Sequence, residues 1–229
     1  IAEGLLGMKL NGGYTGFDES DYVGGDDNKE SRPETKRRQA GVEFSLTPNK
    51  ENTFGLSLHS AKQETKKTPG KSIALTATAS DYRYDKDTVA LTHDGRYGGL
   101  VVNSYLQRDV SDKVQEQTKK ETVTTLNSQA TYVWGEHIVT FGGQYKQEDL
   151  RNETNGLLTA GPGKTPLPGA VAETDRWLGA LFAEVDWTLS EKMSVTTGLR
   201  YNRDEFFGGH LSPRVYGVYR HTPEWTLKG

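Results

Sequence analysis

Two short motifs are the only stretches of this chain that end like a phosphate-binding loop. They are Gly163-Lys164-Thr165 and Gly70-Lys71-Ser72. Such a loop also needs a Gly five residues before its last Gly, and Leu158 and Thr65 occupy those two positions. Each motif lies in a Pro-containing segment and not between a strand and a helix, so the sequence does not favour nucleotide binding.

Metal and catalytic sites have no better support. No two of the five His have the spacing of metal ligands on a helix, and the absence of Cys excludes disulfides, thiolate metal sites and cysteine nucleophiles. Three of the His fall at predicted turns: His93, His137 and His221. Neither a general acid–base pair nor a Ser/His/Asp set can be picked out among the many carboxylates. We therefore predict no enzyme, no metal site and no cofactor.

Basic side chains leave one kind of chemistry open, the recognition of anions. Arg suits bidentate and stacked contacts with anionic or aromatic ligands. Five basic residues are predicted to face a polar interior in the outer half of their strands, which makes them candidate ligand contacts: Arg37, Lys146, Arg176, Arg200 and Arg214. Each could equally pair with a carboxylate. The basic runs at 36–38, 66–67 and 119–120 are interpreted either as a solvated rim contacting lipopolysaccharide phosphates or as attracting an anionic ligand.

The composition favours a membrane barrel over a soluble domain. Apolar residues make up 33% of the 229 residues, whereas a typical domain has about 45–50% on a count that includes Gly. Yet the chain contains 11 Tyr, 7 Phe and 4 Trp, which a disordered chain would lack. The net charge of −3 gives no general attraction to nucleic acid. No apolar run approaches the roughly 20 residues of a membrane helix, but a barrel strand needs only about 9–11, with alternate residues apolar.

Alternation with a period of two residues is the dominant pattern in the sequence. In Met193–Tyr201 the odd positions are mostly apolar and the even positions are polar or Gly. In Trp177–Trp187 an aromatic residue stands at each end of the odd face, as a lipid-facing surface requires. The pattern predicts eleven strands near 4–17, 36–46, 53–62, 82–92, 98–108, 123–134, 137–148, 175–187, 193–203, 210–220 and 224–229.

The predicted connections alternate between short and long. Short turns are expected at Thr47–Asn52, His93–Arg96, Gly135–Glu136, Leu189–Lys192 and His221–Glu224. Longer segments are expected at Asp18–Glu34, Gln63–Ser80, Asp109–Glu121 and Arg151–Thr174, with a brief one at Asp204–Gly209. All short turns fall on one side, as in an outer-membrane barrel with periplasmic turns and extracellular loops. A soluble β-sandwich or surface β-array also alternates, but its strands are usually only about 5–6 residues long.

Five stretches of the chain carry a family resemblance: Leu181-Phe-Ala-Glu-Val-Asp-Trp-Thr-Leu-Ser190, Thr197-Gly-Leu-Arg-Tyr201, His210-Leu-Ser-Pro-Arg-Val-Tyr216, Trp225-Thr-Leu-Lys-Gly229 and Ser80–Gln107. They resemble the TonB-dependent outer-membrane receptors, and the branch of the colicin I and ferric enterobactin receptors in particular. It covers most of residues 80–229 and is weaker over 1–80.

The resemblance implies an all-β, antiparallel transmembrane barrel in the bacterial outer membrane. In that family an N-terminal plug fills a barrel of about 22 strands, and ferric siderophores, here expected to be of the catecholate type, are taken up with energy from TonB. Residues 1–229 show no recognisable plug or TonB-contacting box, so we expect a partial barrel domain of about eleven strands. Expected partners are an anionic ferric siderophore, TonB through the plug, outer-membrane lipid or lipopolysaccharide, and a colicin or phage. A passive porin-like barrel and a soluble adhesin are the alternatives.

Overall fold

The computed structural model describes residues 5–20, 32–115, 118–152 and 173–229. These residues form strands and no helix, so none of them lies in a helix that could cross a membrane. The strands are β1 (Leu6–Phe17), β2 (Glu34–Leu46), β3 (Asn52–Lys67), β4 (Ser80–Tyr97), β5 (Leu100–Val114), β6 (Thr118–Trp134), β7 (His137–Asn152), β8 (Glu173–Ser190), β9 (Met193–Asp204), β10 (Gly208–Arg220) and β11 (Thr226–Lys228). The all-β prediction is confirmed.

A single antiparallel sheet contains all these strands, in the order β1 to β11 along the chain. Each strand pairs with the next through a continuous ladder, with one register shift between Thr188 and Ser190 in the β8–β9 pair. Each of the eleven predicted strands overlaps an observed strand. The short connections 47–51, 98–99, 135–136, 191–192 and 221–225 lie at one end of the sheet, as predicted.

Some predicted boundaries were wrong because the composition of a segment suggested a turn or loop. Residues 93–96 lie inside β4, where all four pair with β5 on one side and 93–95 pair with β3 on the other. The turn follows at Gly98–Gly99, where Gly98 has a φ of 64°, the left-handed conformation that a two-residue hairpin turn needs. Similarly, β3 continues to Lys67, and β5 and β6 extend into the predicted loop at Asp109–Glu121. Pairing on both sides outweighs the polar composition of these extensions.

The sheet is one layer thick and has almost no apolar core of its own. Among the described residues only Ile73, Ala90 and Ala180 are buried apolar residues. Leu181 is 68% exposed and Phe141 is 49% exposed. A soluble domain buries one face of each sheet against a second layer, so this arrangement does not fit the soluble alternative.

Register fixes two faces on the sheet. The outward face carries the apolar residues, and on β8 it shows Leu181 and Val185 between Trp177 and Trp187. The lumenal face carries the alternate, mostly polar residues. The two Trp are ten residues apart, about 33 Å along a strand. A tilt of about 40° brings this to about 25 Å, the height of the apolar band of a membrane barrel.

Aromatic residues mark both edges of the apolar band. At the edge near the long segments, Tyr145 and Trp177 stack with ring centroids 6.3 Å apart. At the edge near the short turns, His137 contacts Trp134 and Trp187 at 5.9 and 5.3 Å. Aromatic belts of this kind sit at the two membrane–water interfaces, which supports a sheet that spans the membrane between these two edges.

A carboxylate joins the segments that follow β1 and β3, on the side of the long connections. Glu19 accepts hydrogen bonds from the Thr68 backbone N–H and from the Ser72 hydroxyl. Ser72 is fully buried. The hydrogen bond from Ser72, followed by contributions from Thr68, lowers the pKa of Glu19 from its ordinary value of 4.5. We call this contact the Glu19 clasp.

The Glu19 clasp predicts a pH dependence. Because the carboxyl pKa is lower in the folded protein than in the unfolded chain, the clasp is intact above about pH 4.5 and is lost as the pH falls through the lowered value. Glu19→Gln should make amide hydrogen exchange over residues 68–79 several-fold faster at neutral pH. Glu51→Gln, in a short turn at the opposite end of the sheet, is the control and should change nothing there. Equal exchange in both variants would show that the clasp does not hold this segment.

Candidate functional site

The five candidate ligand residues all lie on the lumenal face, as their parity predicts. Four of them lie on the adjacent strands β7 to β10: Lys146, Arg176, Arg200 and Arg214. Arg37 lies on β2, five strands away from β7, where it is exposed and opposite Thr15 and Gln63. It has no ion pair within the described residues. The structure therefore brings four of the five together on one part of the wall.

Two of these cations are already paired with carboxylates near the long-segment end of the lumenal face. Arg176 donates from Nε and Nη2 to Glu148 Oε2, at 3.1 and 2.5 Å, and its Nη1 lies 3.9 Å from Asp204. Lys146 also contacts Glu148. Two cations and two carboxylates form one neutral network, so Lys146 and Arg176 add little net charge for a ligand.

Arg214 is paired as well, through a contact that spans a strand. Its Nη1 lies 3.1 Å from Glu184 Oε2, although β9 runs between the two residues. Gly198 is the β9 residue that pairs with both of them, and a Cβ there would lie 3.3 Å from Glu184 Oε2. The missing side chain at Gly198 leaves the space through which this ion pair forms.

Arg200 differs from the other three because its partners are neutral. Its Nε donates to Asn202 Oδ1 at 2.8 Å, and its Nη2 lies 3.4 Å from Gln144 Oε1. Its guanidinium carbon lies 5.7 Å from the centre of the Phe182 ring. Within the described part of the chain no carboxylate lies within ion-pair distance of Arg200. A half-buried positive charge over an aromatic ring is thus the part of this surface that remains available to an anion.

Phe182 is the site residue that parity analysis of the basic side chains missed. It is an aromatic residue at a lumenal position of β8, between Leu181 and Ala183 on the outward face. Its ring packs over Gly142 of β7, where an added Cβ would lie 2.7 Å from the ring. The sequence did contain a signal for Phe182: it is an aromatic residue at a lumenal position, where a polar side chain is expected, and it pairs with a Gly. Phe182 and Arg200 help to line a shallow depression of about 220 Å³, together with the Glu184–Arg214 ion pair.

Neither rejected motif adds a second site within the described residues. Gly70–Ser72 is a turn between β3 and β4 and contributes Ser72 to the Glu19 clasp. Gly163–Thr165 and the acidic residues at 21, 26 and 27 lie outside the described residues. No three metal-ligating side chains converge among the residues that are described.

Comparison with known proteins identifies the family of this single-layer, two-faced wall. Residues 4–229 match the TonB dependent receptor-like, beta-barrel family. The chain belongs to this family. Its members are outer-membrane receptors and transporters and not enzymes, so the predicted location and the absence of an enzymatic role are confirmed.

Individual relatives agree with the family. The iron-regulated outer membrane virulence protein of Vibrio cholerae is 29% identical over 98% of this chain. The chain spans about a third of that protein, 33%. Among solved structures, the siderophore receptor PirA of Acinetobacter baumannii superposes with a TM-score of 0.81 at 16% identity, over 100% of this chain and 38% of that one. A variant of the ferric enterobactin receptor PfeA of Pseudomonas aeruginosa gives 0.80 at 16% identity, over 99% and 38%.

The close packing around Gly142 predicts that an added methyl group there would destabilise the barrel. A Cβ at this position would lie 2.5 Å from the Ser128 carbonyl oxygen and 2.9 Å from Gln129 Cα, so the backbone must move. We expect Gly142→Ala to destabilise the folded barrel by about 1–3 kcal/mol, the usual cost of overpacking, measured by thermal unfolding of the intact receptor. Gly12→Ala is the control, because its nearest contact would be an ordinary 3.6 Å. Equal melting of both variants would contradict the packing described.

Proposed function

We propose that this chain is a section of the barrel wall of a TonB-dependent receptor that imports a ferric siderophore of the catecholate type. The eleven strands would close into a complete barrel with strands from the rest of the receptor. A plug domain elsewhere in the receptor would contact TonB. The wall section performs no covalent chemistry, and its role is to hold the ferric chelate and to line its path.

Membership of the receptor family and the names of the relatives support the uptake of iron chelates. The Vibrio cholerae relative is iron-regulated and lies in the outer membrane, and the two structural neighbours are siderophore receptors. This chain matches only about a third of each relative. That difference in length supports the proposal that the plug and the remaining strands lie elsewhere in the receptor. The family match also argues against a passive porin.

The Phe182–Arg200 pair is the observation that carries the catecholate assignment. A ferric complex of catecholates is strongly anionic and presents aromatic rings at its surface. A guanidinium paired only with neutral groups attracts the charge, and its plane, held over the half-buried Phe182 ring, can stack with the rings of the ligand. A ferric hydroxamate carries neither the negative charge nor the rings, so this surface would favour it less.

A colicin or a phage could use the same receptor from outside. The surface for such a partner would be built by the long segments at the outer end of the strands. Two of these, 18–33 and 153–172, lie largely outside the described residues, so we name no contact residue for it.

Substitution of Arg200 tests the proposed ligand surface. In the intact receptor, Arg200→Gln should raise the Kd for a ferric catecholate roughly tenfold, since a charge-assisted hydrogen bond contributes about 1.5 kcal/mol. The loss should shrink as ionic strength rises, because salt screens the charge. Affinity for a ferric hydroxamate should change little. Fluorescence titration with the two chelates at two salt concentrations measures all three effects.

Arg203→Gln is the matched control. Arg203 lies on the same strand but on the outward face, over the Trp177 ring at 5.9 Å. The Arg203→Gln receptor should bind both chelates with the affinity of the unmodified receptor. If Arg200→Gln binds the catecholate as tightly as Arg203→Gln does, Arg200 is not part of the ligand surface. If the unmodified receptor binds only the hydroxamate, the catecholate assignment is wrong.

A further inference from the structure

Two opposite charges stand on the outward face of the neighbouring strands β4 and β5. Asp87 continues the outward row of Val89 and Leu91 on β4, and Arg108 continues that of Leu106 on β5. Both charged side chains are exposed. A charge on the lipid-facing side of a barrel is destabilising, and such residues in membrane proteins are usually paired and functional.

Asp87 lies well inside the apolar band. On β4 the edge near the short turns is marked by His93, which stacks on Phe54 with 4.8 Å between the ring centroids. Asp87 is six residues farther towards the long segments, about 15 Å in height for a strand tilted by about 40°. The band is about 25 Å high, so about 10 Å remain to its outer edge. An Asp side chain is too short to reach the interface from there.

Arg108 lies at nearly the same height. Successive register partners lead from His93 to Leu181 of β8, which is six residues short of Trp187 at the inner edge of the band. The inner edge thus moves by one to two residues per strand, as in a tilted barrel. On β5 it falls about one residue before Ser104, the partner of His93. Arg108 is about 13 Å above that level.

Hydroxyl groups flank the two charges at this height. Ser60 of β3 is the register partner of Asp87, and Thr124 of β6 is the register partner of Arg108. From β3 to β6 the outward face therefore presents a hydroxyl, a carboxylate, a guanidinium and a hydroxyl in turn. We call these four residues the β3–β6 polar row.

The charges of the row are not paired within the described residues. Asp87 and Arg108 are diagonal neighbours across β4 and β5, yet neither takes part in an ion pair there. Lys62, the other outward cation near Asp87, lies opposite Asp85. Asp112, the next outward carboxylate along β5, also lies opposite Asp85 and is farther from the middle of the band. The row thus brings unpaired opposite charges, side by side, to the lipid-facing surface.

We propose that two copies of the receptor associate in the outer membrane through the β3–β6 polar row, around a twofold axis that runs between β4 and β5 along the membrane normal. Such an axis places β4 of one copy against β5 of the other at the same height. Asp87 of each copy then faces Arg108 of the other, and Ser60 faces Thr124 at the rim of the contact. The order of the row makes it complementary to itself, as a twofold interface requires.

Pairing of the charges provides the driving force. Lipid covers apolar side chains as well as a second protein does, so polar contacts and close packing hold lipid-facing surfaces together. Association gives each of four charges an opposite charge to face and removes all of them from lipid. Exposed Val89 and Leu106, next to the row towards the short turns, pack around these contacts.

Charge reversal in separate copies tests this pairing. Asp87→Arg leaves two positive charges in the row, and Arg108→Asp leaves two negative charges. Each variant alone should self-associate at least about tenfold more weakly than the unmodified receptor, because both contacts become repulsive. An equal mixture of the two variants should associate about as well as the unmodified receptor, because every contact then joins opposite charges. Energy transfer between donor- and acceptor-labelled copies of the intact receptor in lipid vesicles, over a range of protein-to-lipid ratios, measures the association.

Asp175→Arg is the matched control, because it reverses an exposed outward carboxylate on β8, away from the row. This variant should associate like the unmodified receptor, and thermal unfolding shows that each variant is folded. The proposal is overturned if the Asp87→Arg receptor self-associates as tightly as the unmodified one, or if the mixture of the two variants does not recover association. An ion pair within a single copy would leave the unmodified receptor monomeric at every ratio, which would also overturn it.

Discussion

The hydrogen-bond ladder that runs unbroken from β1 to β11 is the interaction on which the rest of this structure depends. Inside a bilayer no water can satisfy a free backbone N–H or C=O group, so a strand can cross only if both of its neighbours complete its hydrogen bonds. Ladder pairing in one layer replaces the packed core that a soluble protein would need, which explains why only three apolar residues are buried in the described chain. It also fixes register, and register decides which side chains meet lipid and which meet the lumen.

On the lumenal face, the register decides which basic side chains have a carboxylate within reach. A count of basic residues does not show this difference. Glu148, Asp204 and Glu184 neutralise three of the four cations that meet on β7 to β10. The positive charge of Arg200 is not balanced by a carboxylate, because the neutral side chains of Asn202 and Gln144 are its partners. Selective pairing, more than the total charge, determines where an anion can bind.

Much of the fold could be predicted from the sequence because the barrel constraint is local and repeats every second residue. Met193–Tyr201 and Trp177–Trp187 show it directly, and all eleven strands follow from it. Strand ends were harder: Asp94-Gly95 has the composition of a turn, yet pairing with β3 and β5 holds it in β4. The parity of the five basic residues was right, but their ion pairs join different strands and depend on register. Phe182 was missed because its role comes from Gly142 and Arg200, 40 and 18 residues away in the chain.

Labelling of successive residues along β8 tests the two-faced wall most directly. The chain has no Cys, so Leu181→Cys, Phe182→Cys, Ala183→Cys, Glu184→Cys and Val185→Cys each introduce one site in it for a nitroxide label. In the intact receptor in lipid bilayers, labels at 181, 183 and 185 should collide mainly with oxygen, which dissolves in the bilayer. Labels at 182 and 184 should instead be shielded from the lipid phase. Uniform collision rates along these five positions, or an alternation of opposite phase, would contradict the assignment of the two faces.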